Sequence, residues 1–112
     1  QQLVALRLAE RADTLADGMA CRVPNEEALA VLLGGAARVV RVDEDEIKAA
    51  MRHYFTDTHN VAEGAGAAPL AAALQERDLL VGRRAGLVLS GGNVDAALFA
   101  RVLAEDRVGA MP

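Results

Sequence analysis

Only three aromatic side chains, Tyr54, Phe55 and Phe99, occur in this chain of 112 residues, whereas small residues abound and glycine alone accounts for ten. A core with so few large anchors must draw its burial from aliphatic side chains and from backbones that approach closely, which Ala and Gly permit. Hydrophobic residues at 53%, charged residues at 25% and a net charge of -4 describe a globular chain, because enough apolar surface is available to offset the entropy of ordering. A compact fold of this length keeps about 5,900 Å² of surface out of roughly 17,000 Å² when extended, enough for one modest core and not for two domains. The chain is therefore an Ala-rich small domain or a piece of something larger.

A single cysteine, Cys21, rules out an internal disulfide and cannot complete a metal-knuckle spacing, so a reducing, cytoplasmic setting fits best. No apolar stretch approaches the roughly 20 residues of a membrane helix. Gln1-Gln2-Leu3-Val4 lacks the basic start of a signal peptide, so neither membrane nor secretion is expected. Lys48 and eleven arginines are dispersed and outnumbered by acids, which argues against nucleic acid as a partner.

Asn25 can cap a helix over about 26–33, with Leu29, Leu32 and Leu33 as its buried stripe and Gly34-Gly35 as its end. Arg38 to Val42 is short and β-branched and reads as a strand. It runs into Asp43, which with Glu46 forms a capping-box pattern at the start of a helix over about 43–58. Ile47, Ala50, Met51, Tyr54 and Phe55 share one face of that helix, and Asp45, Lys48, Arg52 and His53 fall to its sides and back. Leu70, Ala73 and Leu74 define the next helix, ending near Arg77, and Gly82 marks a turn. Arg84 to Leu89 reads as a buried strand of a parallel sheet, Ser90-Gly91-Gly92-Asn93 as the turn at its end, and Asp95 onward as a helix carrying Ala97, Leu98, Val102 and Leu103. The order helix, strand, Gly-rich turn, helix predicts half of a doubly wound α/β unit, with a ligand crevice at the Ser90 turn.

On chemistry alone, Ser90 to Asn93 offers a hydroxyl, two positions without a Cβ and an amide near a helix start, which suits an anion cradle and a plain turn equally well. It has the spacing of neither a Walker loop nor a dinucleotide-binding loop. Glu63 precedes Gly64 and Gly66, where it serves either as an acid favoured by the helix dipole or as a carboxylate close to a ligand. His53 and His59, six residues apart, are surface or capping histidines and not an i,i+4 metal pair. Cys21 reads as a small hydrophobe, and Asp43 to Glu46 as capping and a solvated face.

Four stretches together resemble a known family. Thr14-Leu15-Ala16-Asp17-Gly18-Met19-Ala20, Val42-Asp43-Glu44-Asp45-Glu46-Ile47, Glu63-Gly64-Ala65-Gly66-Ala67-Ala68 and Leu89-Ser90-Gly91-Gly92-Asn93-Val94-Asp95 have the order and spacing of the threonine/serine dehydratases, which include serine racemases. The likeness runs from about Asp13 to Leu103. It implies a fragment of the three-layer doubly wound sheet in the large domain of fold type II pyridoxal-phosphate enzymes. Residues 1–112 would be a partial, C-terminal portion of the catalytic domain. The resemblance also implies that Ser90 meets the pyridine nitrogen of pyridoxal 5'-phosphate, that Gly91, Gly92 and Asn93 shape the surrounding turn, and that Glu63 lies near the ring. A neutral hydroxyl does not hold that nitrogen protonated, so the ring is a weaker electron sink, which suits a β-hydroxy substrate. Asp17-Gly18 resembles a structural turn of the family.

The family's cofactor-bearing lysine, in a Ser-Phe-Lys-type motif, and its phosphate-binding glycine loop are not in this sequence. Lys48 reads as a solvated residue and not as their replacement, so no catalytic residue and no metal ligand is assigned, and the acidic cation-binding segment should lie upstream of residue 1. Pro69 stands where such proteins often have alanine and is tolerated if its helix begins near Ala65 or later. The expectation is part of an L-threonine or L-serine ammonia-lyase, inactive by itself. It would act on a small amino acid together with the remainder of its catalytic domain, in a homo-oligomer. The alternatives are a serine racemase, another β-hydroxyamino-acid dehydratase, or a non-catalytic structural module.

Overall fold

A computed structural model describes residues 14–19 and 23–109. A 3-10 turn at Asp17–Met19 is followed by α1 (Glu26–Gly35), α2 (Glu44–Thr58), α3 (Gly64–Gln75), the single-turn α4 (Arg77–Leu80) and α5 (Ala96–Gly109). The expected positions Gln1-Gln2-Leu3-Val4, Ala20 and Cys21 lie outside the described residues.

α2 is the best-defined element, and its start follows the sequence. Asp43 accepts from the Glu46 N–H at 2.7 Å while the Glu46 carboxylate accepts from the Asp43 N–H at 3.1 Å. Two otherwise orphaned donors of the first turn are thus satisfied reciprocally. The helix ends at His59, whose left-handed backbone (φ 58°, ψ 31°) lets its N–H return to the Phe55 carbonyl. His59 is thereby a capping residue. At Gly82 a φ of 76° closes a turn in which the Arg83 N–H reaches the Leu80 carbonyl at 2.9 Å, a conformation that favours glycine.

The core is small and aliphatic. Ile47, Ala50 and Met51 of α2 pack with Ala67 and Ala71 of α3, Val102 of α5, and Ala16 and Ala62 from the connecting segments. Met51 and Val102 are the largest fully buried side chains, each worth about 1.5–3 kcal/mol of burial. α2 and α5 run antiparallel along three matched contacts. Lys48 meets Glu105 at 3.2 Å, Arg52 donates to the Val102 carbonyl at 3.2 Å, and Phe55 sets its ring edge-on against Phe99 at 5.6 Å. Lys48 and Arg52 therefore belong to the α5 interface and not to the solvated back of α2.

The expected α/β fold is not observed: the described residues form helices and no strand or sheet. A β-branched run becomes a strand only when a neighbouring backbone completes its hydrogen bonds, and neither 38–42 nor 84–89 has such a ladder among the described residues. Arg38 to Val42 instead lies along α3. Arg38 pairs through both guanidinium nitrogens with Glu76, and Gln75 donates to the Arg41 carbonyl at 2.8 Å and to Glu46 at 3.0 Å. Residues 84–88 are exposed, with Val88 at 74%, and Leu89 turns back onto the core.

Three local expectations also change. α1 buries none of its residues, Leu32 and Leu33 being about half exposed, and it continues through Gly34 and Gly35 before Ala36 caps it. The buried face of α3 is made of Gly64, Gly66, Ala67, Ala68 and Ala71, while Leu70 packs at the margin. Small residues win that face because α2 and the 14–19 segment come too close for leucine. Pro69 lies inside α3, which begins at Gly64. The ring removes the N–H that would have bonded the Ala65 carbonyl, and it faces a 280 Å³ cavity lined also by Met19, Val40, Val42 and Ala72.

Candidate functional site

The Ser90 turn is held from both ends and from beneath. Leu89 and Val94 are packed against the core on either side of it. The Val94 N–H closes onto the Gly92 carbonyl at 3.0 Å. Asp95 then caps α5, its carboxylate accepting from the Leu98 N–H at 3.1 Å and its carbonyl from Phe99 at 2.9 Å. The helix expected from Asp95 therefore begins where the sequence places it.

Beneath the turn is the N-terminus of α3, and the two are joined by a backbone hydrogen bond from the Glu63 N–H to the Gly91 carbonyl at 3.1 Å. Glycine makes this contact possible. A Cβ on Gly66 would lie 2.5 Å from the Gly91 oxygen, and one on Gly92 would overlap the Val61 carbonyl. Real Cβ atoms do not approach closer than 3.0 Å, so a side chain at either place would push the turn off α3.

Glu63 is the N-cap of α3, yet its side chain makes no capping hydrogen bond. Glu63 is half-buried and its carboxylate is turned towards the turn, with Oε1 in the space that a Cβ on Gly91 would take. The positive end of the α3 dipole favours negative charge here. The sequence expectations for Ser90, Gly91, Asn93 and Glu63 thus meet at one place in the fold. Ser90 and Asn93 are exposed, and among the described residues neither side chain is engaged in a hydrogen bond.

The 14–19 segment closes the other side of α3. Glu44 accepts from the Thr14 hydroxyl on one oxygen and from the Leu15 N–H at 3.1 Å on the other, and Thr14 Oγ1 accepts in turn from the Ala16 N–H at 3.1 Å. This brings Ala16 under Gly64, where a Cβ would meet the Ala16 Cα at 2.9 Å, and Gly18 beside Ala65. Asp17-Gly18 is accordingly a turn packed on the helix that carries Glu63. Sequence reading put Glu44 among capping and solvated acids and missed this link. Its carboxylate joins residues thirty positions apart, for which a local pattern has no signal.

His53 pairs with Asp57 at 3.3 Å and is exposed. The described residues contain no group of three or more His, Cys, Asp or Glu able to hold a metal, and no helix among them is long and apolar enough to cross a membrane.

The donor set of a hydroxyl, a side-chain amide and a carboxylate at a glycine-lined turn suits the nitrogen side of a pyridine ring, which needs one hydrogen-bond partner and close backbone approach. Lys48, the single lysine, pairs with Glu105 well along α5, whereas the Ser90 turn precedes the start of that helix.

Residues 3–91 match the family model described as pyridoxal-phosphate dependent enzyme. The chain is 36% identical over 98 residues to an L-threonine ammonia-lyase of Thermotoga maritima, covering 85% of this chain and 24% of that protein. It is 37% identical over 97 residues to an L-threonine ammonia-lyase of Geobacter sulfurreducens, covering 87% and 24%. Over 67 residues it is 43% identical to a phenylserine dehydratase of Ralstonia pickettii, covering 59% and 21%. The chain spans about a quarter of the length of the first two relatives. Matched over most of its residues by the family model, the chain belongs to the pyridoxal-phosphate dependent enzymes.

Proposed function

We propose that this chain forms part of the catalytic region of an L-threonine or L-serine ammonia-lyase, in which the Ser90 turn and Glu63 border the ring of pyridoxal 5'-phosphate. The observation that carries the reading is the junction of the two motifs: the Glu63 N–H bonds the Gly91 carbonyl beside Ser90, so the hydroxyl and the carboxylate are fixed on one surface. The names of the relatives support the reaction class.

When bound, the cofactor supplies an electron-accepting ring that stabilises negative charge at the α-carbon of an amino acid, so that a β-hydroxyl can leave. The net outcome is a 2-oxo acid and ammonia. Ser90 presents its hydroxyl to the ring nitrogen and holds it through a neutral hydrogen bond, which keeps the ring from becoming permanently cationic. Asn93 and the Gly91-Gly92 backbone border the same edge. Glu63, anchored by its own N–H, orients the ring and serves as a local proton acceptor. The lysine that holds the cofactor and the loop that binds its phosphate belong to the remainder of the catalytic domain, with which residues 1–112 act as one portion in a homo-oligomer. A single cysteine accords with a cytoplasmic, reducing setting.

The similarity to a phenylserine dehydratase favours a second reading, a β-hydroxyamino-acid dehydratase for a larger substrate. In the full-length protein, Ser90→Ala should weaken pyridoxal phosphate binding and lower turnover of threonine, serine and phenylserine alike. The ranking of those three substrates by kcat/KM decides between the readings. Unchanged cofactor affinity and absorbance in Ser90→Ala would remove Ser90 from the site.

A further inference from the structure

The Glu63 carboxylate stands in the space that a side chain at residue 91 would fill. A Cβ built on Gly91 meets Oε1 of Glu63 well inside 3.0 Å and its Cδ at 3.6 Å, and no other atom within 4 Å outside Ser90 and Gly92. Gly91 is also pinned from behind, where Gly66 lies against its carbonyl oxygen and nitrogen, and by the Glu63 N–H. The turn therefore cannot retreat from the carboxylate without breaking its seat on α3. The carboxylate has an alternative, because the free N–H groups of the first turn of α3 offer it donors, and here it does not take them.

We infer that Gly91 is a positioning residue whose missing side chain holds the Glu63 carboxylate over the Ser90 turn instead of on the N-terminus of α3. This rests on the cofactor reading above and gives Gly91 a role distinct from contact with the cofactor. The two neighbouring glycines differ in kind. Gly66→Ala would strike backbone and displace the turn, whereas Gly91→Ala would strike only the end of a flexible side chain. The second variant keeps the fold and moves Glu63.

The test is a double-mutant cycle in the full-length protein with Gly91→Ala, Glu63→Ala and the pair. It is read as pyridoxal phosphate affinity of the apoprotein by absorbance and fluorescence titration, as kcat and KM, and as thermal unfolding of the apoprotein. Gly91→Ala and Glu63→Ala should each weaken cofactor binding by about tenfold, and the pair should be no worse than either, since contacting residues are non-additive. Shortening the acid supplies a rescue: Glu63→Asp should recover part of the loss in the Gly91→Ala background. Gly86→Ala, with nothing within 4 Å of its Cβ position, should change none of these. Additive losses, a silent Gly91→Ala or absence of rescue would overturn the inference. If Ser90→Ala and Glu63→Ala both leave cofactor binding intact, the cofactor reading fails. Non-additivity in thermal unfolding would then still uphold the Gly91–Glu63 contact.

Discussion

Glu44 accepts the Thr14 hydroxyl and the Leu15 N–H with its two carboxylate oxygens, and so fastens the 14–19 segment to the first turn of α2. Asp45, its neighbour, is exposed. Glu44→Ala should destabilise the full-length protein by about 1–3 kcal/mol, the cost of leaving half-buried donors unpaired. Glu44→Gln should lose less, because an amide oxygen still accepts one bond. Asp45→Ala should fall within about 0.5 kcal/mol of wild type. Denaturant midpoints of the three variants check the order, and an Asp45→Ala loss equal to that of Glu44→Ala would contradict it.

The capping box predicts a second ordering. Asp43→Ala removes the acceptor for the Glu46 N–H and should cost about 1 kcal/mol, with Asp43→Asn or Asp43→Ser restoring most of it. Asn25→Ala removes a similar bond to Ala28 at 3.0 Å but caps a helix that buries nothing. Its effect should be seen in amide exchange of residues 26–35 and hardly at all in the global unfolding midpoint.

Met51→Ala should destabilise by about 2–5 kcal/mol through the cavity it leaves. Val31→Ser, at a position 75% exposed, should be close to neutral. A chain whose core rests on few large side chains concentrates its sensitivity in those few. Chemical denaturation of the two variants gives the contrast, and equal losses would refute this account of the core.

The 112-residue chain contains neither a Ser-Phe-Lys-type motif nor a lysine at the Ser90 turn. Purified and supplied with pyridoxal phosphate, it should release no ammonia from threonine or serine above the rate of the free cofactor. An absorbance band near that of a lysine-bound cofactor, lost on Lys48→Arg, would show the assignment of Lys48 to be wrong.

Signals carried by neighbouring residues were legible in the sequence. The Asp43–Glu46 box, the apolar face of α2 and the helix from Asp95 depend on side chains three or four positions apart, the Gly82 turn on one residue, and each is found in the structure. Failures occurred where the deciding partner is remote. Arg38 to Val42 and Arg84 to Leu89 have strand-like composition, but the hydrogen bonds that make a strand come from another segment. Leu32 and Leu33 have a buried pattern, yet each is about half exposed. The placement of Lys48 and Arg52 was decided by α5, fifty residues downstream. At the site, the resemblance brought Glu63 and the Ser90 turn into one expectation. Their actual connection, a backbone bond between glycine-lined surfaces, is invisible to residue type alone.

That separation has a consequence for how the chain assembles. α2 and α3 follow one another closely, so the layer of Ile47, Met51, Ala67 and Ala71 can form after closing a short loop. Docking α5 through Val102 and Phe99 requires a loop of 50 residues, which costs about 1 kcal/mol more in closure entropy than one a third as long. Burial of Met51 should therefore precede burial of Val102 on the folding path, with larger φ-values at the former. Since residues 90–93 lie between α3 and α5, the turn should acquire its final shape only when α5 docks.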